Sequence, residues 1–266
     1  MVYNIGKKTG REEKDVKDGY SVLARVYDRL NDTVDYGAWA DFIEEIFARY
    51  AITKPSLVLD LGCGTGSMTL ELCRRGYDMT ALDLSEDMLT VADERLREAG
   101  CENVLILRGD MTAFELYGTV DAVVCCLDGI NHITKTDELY SCFSCVANYL
   151  SSDGLFVFDL NTPYRFSTEY ADRDYVLEDD GAMCVWRNRL NSRGNTVDFY
   201  LTVYEENEDG TWTRADGEER ERAYSLRYIK KALGECGLEL LNVSSDYNFT
   251  EPDDKCVRWY ITARKK

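Results

Sequence analysis

The sequence predicts an α/β fold on a mainly parallel sheet, and three observations carry that prediction. Residues 57–83 read as strand, glycine loop, helix, strand and acid. Short apolar runs then alternate with helical patterns as far as residue 160. A last helix and two strand-like runs close the chain. With 266 residues and 45 % hydrophobic content, the chain can bury a real core in one or two domains.

Residues 1–18 read as an arm or a loose first helix. In the stretch Tyr20–Leu30, the side chains Leu23, Val26, Tyr27 and Leu30 share a helical face. After a polar link, a helix to about Tyr50 turns Trp39, Phe42, Ile43, Ile46 and Phe47 inward. Leu57-Val58-Leu59 is a buried strand ending at Asp60, and Gly62, Gly64 and Gly66 follow. Glycine permits positive φ and lets a ligand approach the backbone. A helix with Met68, Leu72 and Cys73 on one face leads to a second strand, 78–82, closed by Asp83. Ser85 caps a helix through about Ala99. Val104–Leu107 and Val120–Cys126 are the third and fourth strands, Thr136–Leu150 a helix, and Gly154–Leu160 the fifth strand. From Asp172 to Arg222 the pattern turns to alternating, β-rich segments with turns at Gly181, Gly194 and Gly210. Tyr224–Gly234 is the last helix, closed by Gly237, and Leu238–Asp246 with Cys256–Ala263 form a hairpin.

The spacing of the glycines narrows the ligand. A dinucleotide fingerprint, G-x-G-x-x-G, needs a small residue at 67, where Ser67 stands; from Asp60 the glycines read D-x-G-x-G-x-G. That form resembles motif I of the class I S-adenosylmethionine (SAM) methyltransferases, in which Asp83 would hold the ribose. Gly109-Asp110-Met111 resembles the family motif that meets adenine. The whole chain resembles the YqeM branch of that family, through Tyr27-Asp28, Tyr36 with Trp39, LDLGCGTG, ALDLSEDML, GDM, VVCCLDGIN, LFVFDL and the acidic insertion. The N-terminal pattern Y-x6-Y-D-x7-Y-x2-W also resembles N-methyltransferases of amino sugars.

The resemblance implies a Rossmann-like class I methyltransferase sheet, order 3-2-1-4-5-7-6, with an N-terminal helical cap and an antiparallel β insertion after strand five. It divides the chain into a SAM-binding core, residues 1–171 and 223–266, and an inserted β lid, residues 172–222. SAM, with S-adenosylhomocysteine as product, would be held by Asp60, Gly62, Cys63, Gly64, Thr65 and Gly66 of the first loop. Asp83, Leu84 and Met88 would follow from the second strand edge, Asp110 and Met111 from the third, and Cys126 and Leu127 from the fourth. Tyr20 and Tyr36 would face the amino-acid end and the acceptor, whereas Tyr27 and Trp39 are expected to pack. His132 and Tyr20 are the candidate catalytic residues. His132 is the only histidine, in a loop with Asp128 and Asn131, and an unperturbed imidazole titrates near pH 6.5. The alternative for His132 is a cap on the helix that follows. Because SAM is a sulfonium, alignment of a nucleophile is most of the work, about 7–11 kcal/mol.

Composition excludes other classes. A net charge of −18 and pI near 4.5 disfavour nucleic acid. The insertion is itself acidic: Glu205–Arg222 holds eight acids and three arginines. It reads either as a meander protecting sheet edges or as a lid selecting the acceptor. No apolar run reaches a membrane span and no h-region follows the N-terminus, so the expectation is a cytoplasmic protein with no membrane partner. Cys142 and Cys145 form a C-x-x-C inside a helix, without the further ligands a zinc site needs, so no metal is expected. The expected activity is methyl transfer from SAM to a small polar acceptor at nitrogen or oxygen. A SAM sensor or assembly protein without turnover, or a methyltransferase for a macromolecule, are the alternatives. Oligomeric state is not legible.

Overall fold

The computed structural model describes residues 17–19, 23–24, 26–30, 34–171 and 173–266. Its strands are β1 (Leu57–Leu61), β2 (Asp78–Asp83), β3 (Leu105–Arg108), β4 (Val120–Cys125) and β5 (Leu150–Asn161). The insertion follows with β6 (Asp174–Asp179), β7 (Ala182–Leu190), β8 (Thr196–Glu206) and β9 (Trp212–Arg222), and β10 (Leu238–Ser244) and β11 (Arg258–Lys265) end the chain. The longer helices are α1 (Tyr36–Tyr50), α2 (Ser67–Arg74), α3 (Glu86–Glu98), α4 (Thr136–Tyr149) and α5 (Leu226–Glu235).

Seven strands form one sheet in the order β3-β2-β1-β4-β5-β11-β10. β1 to β5 run parallel, and β11 pairs antiparallel with both β5 and β10. This is the expected 3-2-1-4-5-7-6 arrangement, β10 and β11 being the sixth and seventh strands of the core. Both faces of the sheet are covered, which is why β1 is apolar at nearly every position. Leu59 and Leu61 join Phe143, Phe156, Phe158, Ile229 and Leu233 on the α4/α5 side. Val58 joins Trp39, Ile43, Ile46, Phe47, Met68 and Leu72 on the α1/α2 side.

Element ends follow local chemistry. Ser85 Oγ accepts the Met88 N–H at 3.3 Å and starts α3 as expected, and Ser225 does the same for α5, which begins two residues later than predicted. β5 starts at Leu150 rather than Gly154, with an irregularity in its pairing to β4 between Val120 and Ala122. Gly154 is required there: a Cβ would meet the Ser151 and Asp121 carbonyl oxygens at 2.9 and 3.0 Å.

The insertion is the antiparallel sheet expected, in the order β9-β8-β7-β6, with Gly181, Gly194 and Gly210 all at positive φ in its turns. Residues Lys17–Asp18 add a short parallel strand to β9 at Gly217 and Glu218. The insertion is tied to the core through fully buried Asn131, whose Nδ2 donates to the Asn161 and Arg222 carbonyls at 3.2 and 2.9 Å. Of the predicted first helix, the structure describes a four-residue turn, Tyr27–Leu30; Tyr20 lies outside the described residues. Among the described residues no helix is long and apolar enough to cross a membrane.

Candidate active site

The carboxyl ends of β1 to β4 open into a cavity of about 340 Å³, the edge at which open α/β sheets hold ligands. The glycine loop forms one wall. Gly62 and Cys63 donate their N–H groups to the Leu82 carbonyl at 2.7 and 3.0 Å, which pins the loop to β2. Gly64 sits at φ +53°, and a Cβ there would meet nothing within 4 Å, so its backbone is open to a ligand. Its N–H donates to Asp83 Oδ2 at 2.8 Å, while Ser85 N–H donates to Asp83 Oδ1 at 2.9 Å. Asp83 is thereby fixed at the cavity edge.

Asp60 also lines the cavity although it is 1 % exposed. Thr69 Oγ1 donates to it at 2.5 Å, and burial pushes its carboxyl up to about 7. Thr65 and Gly66, expected to touch the cofactor, are not in the cavity wall. Thr65 is buried and donates to Asp28 Oδ1 at 2.9 Å. A Cβ on Gly66 would lie 3.0 Å from Ala92 Cβ, so this glycine serves the approach of loop to α3. These two residues shape the loop rather than line the site.

Leu84 and Met88 line the same cavity beyond β2, and Asp110 and Met111 beyond β3. Asp110 Oδ1 accepts the Thr112 N–H and hydroxyl, both at 2.8 Å, which fixes the carboxylate at the strand end. Cys126 and Leu127 complete the wall beyond β4. There the chain takes two consecutive left-handed non-glycine residues, Leu127 at φ +56° and Asp128 at φ +55°. Buried electrostatics hold this turn: Arg258 Nη2 bonds Asp128 Oδ1 at 2.7 Å and its Nη1 pairs with Asp159, which also accepts the Asp128 N–H at 3.0 Å. Burial works against the Asp128 charge, yet Arg258 brings its carboxyl below the usual value, whereas burial leaves Asp159 raised to about 6.

From the N-terminal segment, two described tyrosines border the cavity. Tyr36 lines it as expected; Tyr27, expected to pack, also lines it. Trp39 does pack, 3 % exposed and edge-on to Tyr260 at 5.8 Å. Asp28 latches the segment down, accepting from Thr65 Oγ1 at 2.9 Å and Ser67 Oγ at 3.2 Å and pairing with Arg95.

His132 ends a short helical turn, Gly129–His132, and faces the cavity. It does not cap α4, whose N-cap position is Lys135. Its Nδ1 lies 3.8 Å from Glu219 Oε2 and its Nε2 4.0 Å from Glu221 Oε1, both on β9. Asp128, His132 and Glu221 present side-chain ligand atoms within 4.8 Å of one another. Cys142 is buried inside α4, and burial raises its thiol; Cys145 contacts the Thr112 carbonyl at 3.6 Å.

A second cavity, also about 340 Å³, lies between the core edge and the insertion. Tyr27, Leu127 and Glu219 belong to the walls of both. Glu219, Glu221, Arg165 and Arg258 were not singled out from sequence, and Asp28 entered only within the resemblance, with no role given to it. The only signal for the two glutamates is their alternate spacing, which puts both on the inward face of β9.

The residues present fit SAM: an open glycine cradle with one anchored carboxylate at the end of β2 and a second at the end of β3. The methyltransferase domain family matches residues 58–154. An S-adenosylmethionine-dependent methyltransferase from Clostridium acetobutylicum ATCC 824 superposes with a TM-score of 0.82 at 30 % identity, over 93 % of this chain and 99 % of that one. The methyltransferase YqeM of Bacillus subtilis (strain 168), named without an acceptor, is 27 % identical over 92 % of this chain and 97 % of its own length. A dTDP-3-amino-3,4,6-trideoxy-alpha-D-glucopyranose N,N-dimethyltransferase of Streptomyces venezuelae is 33 % identical over 56 % of this chain and 60 % of its own length. With its sheet order, its glycine cradle and a full-length relative at 30 % identity, the chain belongs to the SAM-dependent methyltransferases.

Proposed function

We propose that this enzyme methylates a small polar acceptor at nitrogen or oxygen, and that residues 172–222 act as its lid. The observation that carries this reading is the second cavity, which shares a wall with the first and is closed on one side by the insertion. Among the described residues, an acceptor there meets the cofactor across Tyr27, Leu127 and Glu219. The chamber is of metabolite size. The amino-sugar N,N-dimethyltransferase of Streptomyces venezuelae supports a small-molecule acceptor.

In this reading SAM supplies an electrophilic methyl group and a neutral leaving thioether. The Gly62 and Gly64 backbone cradles its amino-acid end, Asp83 accepts from the ribose diol, and Asp110 with Met111 meets the adenine. Cys126 and Leu127 floor the site and Tyr36 covers it. His132, between the cofactor cavity and Glu221, takes a proton from the acceptor or orients it. Proximity is the larger contribution.

Calorimetry with S-adenosylhomocysteine, with NAD as control, tests the cofactor half, and methylation assays on purified tRNA and rRNA test the acceptor half. The expectation is binding of the homocysteine compound, none of NAD, and no methylated RNA. Robust RNA methylation would overturn the small-acceptor reading.

A further inference from the structure

The second cavity has a charge pattern that selects among acceptors. Its body is aromatic, with Tyr170, Tyr175, Trp186 and Phe199 in the wall. Its two cations among the described residues are already engaged. Arg258 is held by Asp128 and Asp159, and Arg165 by Glu169 at 2.9 Å and by Asn161 Oδ1 at 2.8 Å. The same pairs absorb two of its acids, Asp128 and Glu169.

Glu221 is different. It is 4 % exposed, and its Oε2 accepts from Asn161 Nδ2 at 3.2 Å. Among the described residues no lysine or arginine lies within ion-pair distance of it; its nearest basic group is His132, at 4.0 Å. A buried carboxylate with no directly paired lysine or arginine is costly; burial, with Asp128 adding to it, pushes the Glu221 carboxyl well above its ordinary range, against the opposing pull of Arg258 and Arg165. Its neighbour on the same strand face, Glu219, reaches from this chamber into the cofactor cavity. Aromatic faces around a carboxylate form a site for an organic cation. Both arginines being paired, no cation in the wall among the described residues is left to receive a phosphate.

Resting on the methyl-transfer reading above, we infer that the second cavity binds a phosphate-free basic amine as its ammonium, with Glu221 as counter-ion and the aromatic wall around its body. The acceptor atom is then nitrogen. The ammonium gives one proton to His132, and the freed lone pair forms the N–C bond as the C–S bond breaks and its electron pair stays on sulfur. The product leaves as a methylated ammonium, and His132 returns its proton to water.

The probe is benzyltrimethylammonium, which cannot itself be methylated, titrated into protein saturated with S-adenosylhomocysteine. Its neutral isostere, neopentylbenzene, and the anion benzyl phosphate are the controls. The cation is expected to bind and the two controls to bind at least roughly tenfold more weakly, the range of one charge-assisted contact. Glu221→Gln is expected to weaken the cation by about tenfold at unchanged homocysteine-compound affinity, which also reports that the variant folds. Equal binding of cation and neutral isostere in the wild type overturns the inference without any variant. So does preference for benzyl phosphate, or binding that requires added Mg²⁺, which would make Asp128, His132 and Glu221 metal ligands. If the homocysteine compound binds and the cation does not, only the cation site falls. If neither binds, the methyl-transfer reading falls first.

Discussion

Asp83 organises the site at the scale of single residues because it serves two masters. Its carboxylate fixes the glycine loop through Gly64 and the start of α3 through Ser85, and it faces the cavity. Asp83→Ala removes both anchors and the acceptor proposed for the ribose. The expected loss in SAM affinity is about 1.5–3 kcal/mol, the worth of a hydrogen bond to a charged group, read by calorimetry. Asp60 gives a second expectation, in pH. Its folded-state value of about 7 lies above the ordinary aspartate value near 4, so the folded protein retains this proton where the unfolded chain has lost it. Its contribution to stability is full below about pH 4 and is lost as pH rises through about 7. In Asp60→Asn that loss disappears. Urea melts of the ligand-free proteins should show the variant gaining on the wild type between those values, by up to about 1.4 kcal/mol per pH unit. A pH-independent difference would count against a protonated Asp60. Both aspartates were legible in sequence because each directly follows a strand's apolar run, next to the loop it serves. Glu219 and Glu221 were not, because nothing local distinguishes them from the other acids of β9; only the folding of the insertion onto the Gly129–His132 turn gives them a role.

At the scale of elements, the βα units could be read because burial on both faces makes their strands mainly apolar and Ser85 announces α3. The ends that moved, at β5 and α5, are set by strand pairing and by the Ser225 cap, which periodicity does not register. The N-terminal cap was read with Tyr20 and Tyr36 facing the site and Tyr27 and Trp39 packing, and the fastening through Asp28, a contact made across the fold to Thr65, Ser67 and Arg95, was not read. Asp28→Ala should raise the KM for SAM by roughly tenfold while leaving the thermal melt of the core within a few degrees. An unchanged KM would separate the cap from cofactor retention. For the insertion, replacing residues 174–220 with a flexible Gly/Ser loop leaves the Arg222 carbonyl on Asn131. That variant should keep its affinity for S-adenosylhomocysteine and lose transfer to the acceptor. Retained transfer would make the insertion edge protection only.

The whole molecule adds the electrostatic frame. A net charge of −18 repels polyphosphates over the distances that screening allows and draws cations toward its clefts. The paired arginines and the aromatic chamber carry the same preference to short range. Fold and cofactor were legible because the residues that specify them are contiguous in the chain. The proposed acceptor chamber was not, because its wall is assembled from the N-terminal segment, the β4 loop, the 163–170 turns, the insertion and β11. The account therefore turns on what receives the methyl group. Purified enzyme should be incubated with trideuteriomethyl-labelled SAM and a cell extract split into a small-molecule filtrate and a macromolecular retentate, and both fractions read by mass spectrometry. The account predicts a trideuteriomethylated basic compound in the filtrate that fails to form with Asp83→Ala. Label in the RNA or protein of the retentate, with none in the filtrate, would contradict it.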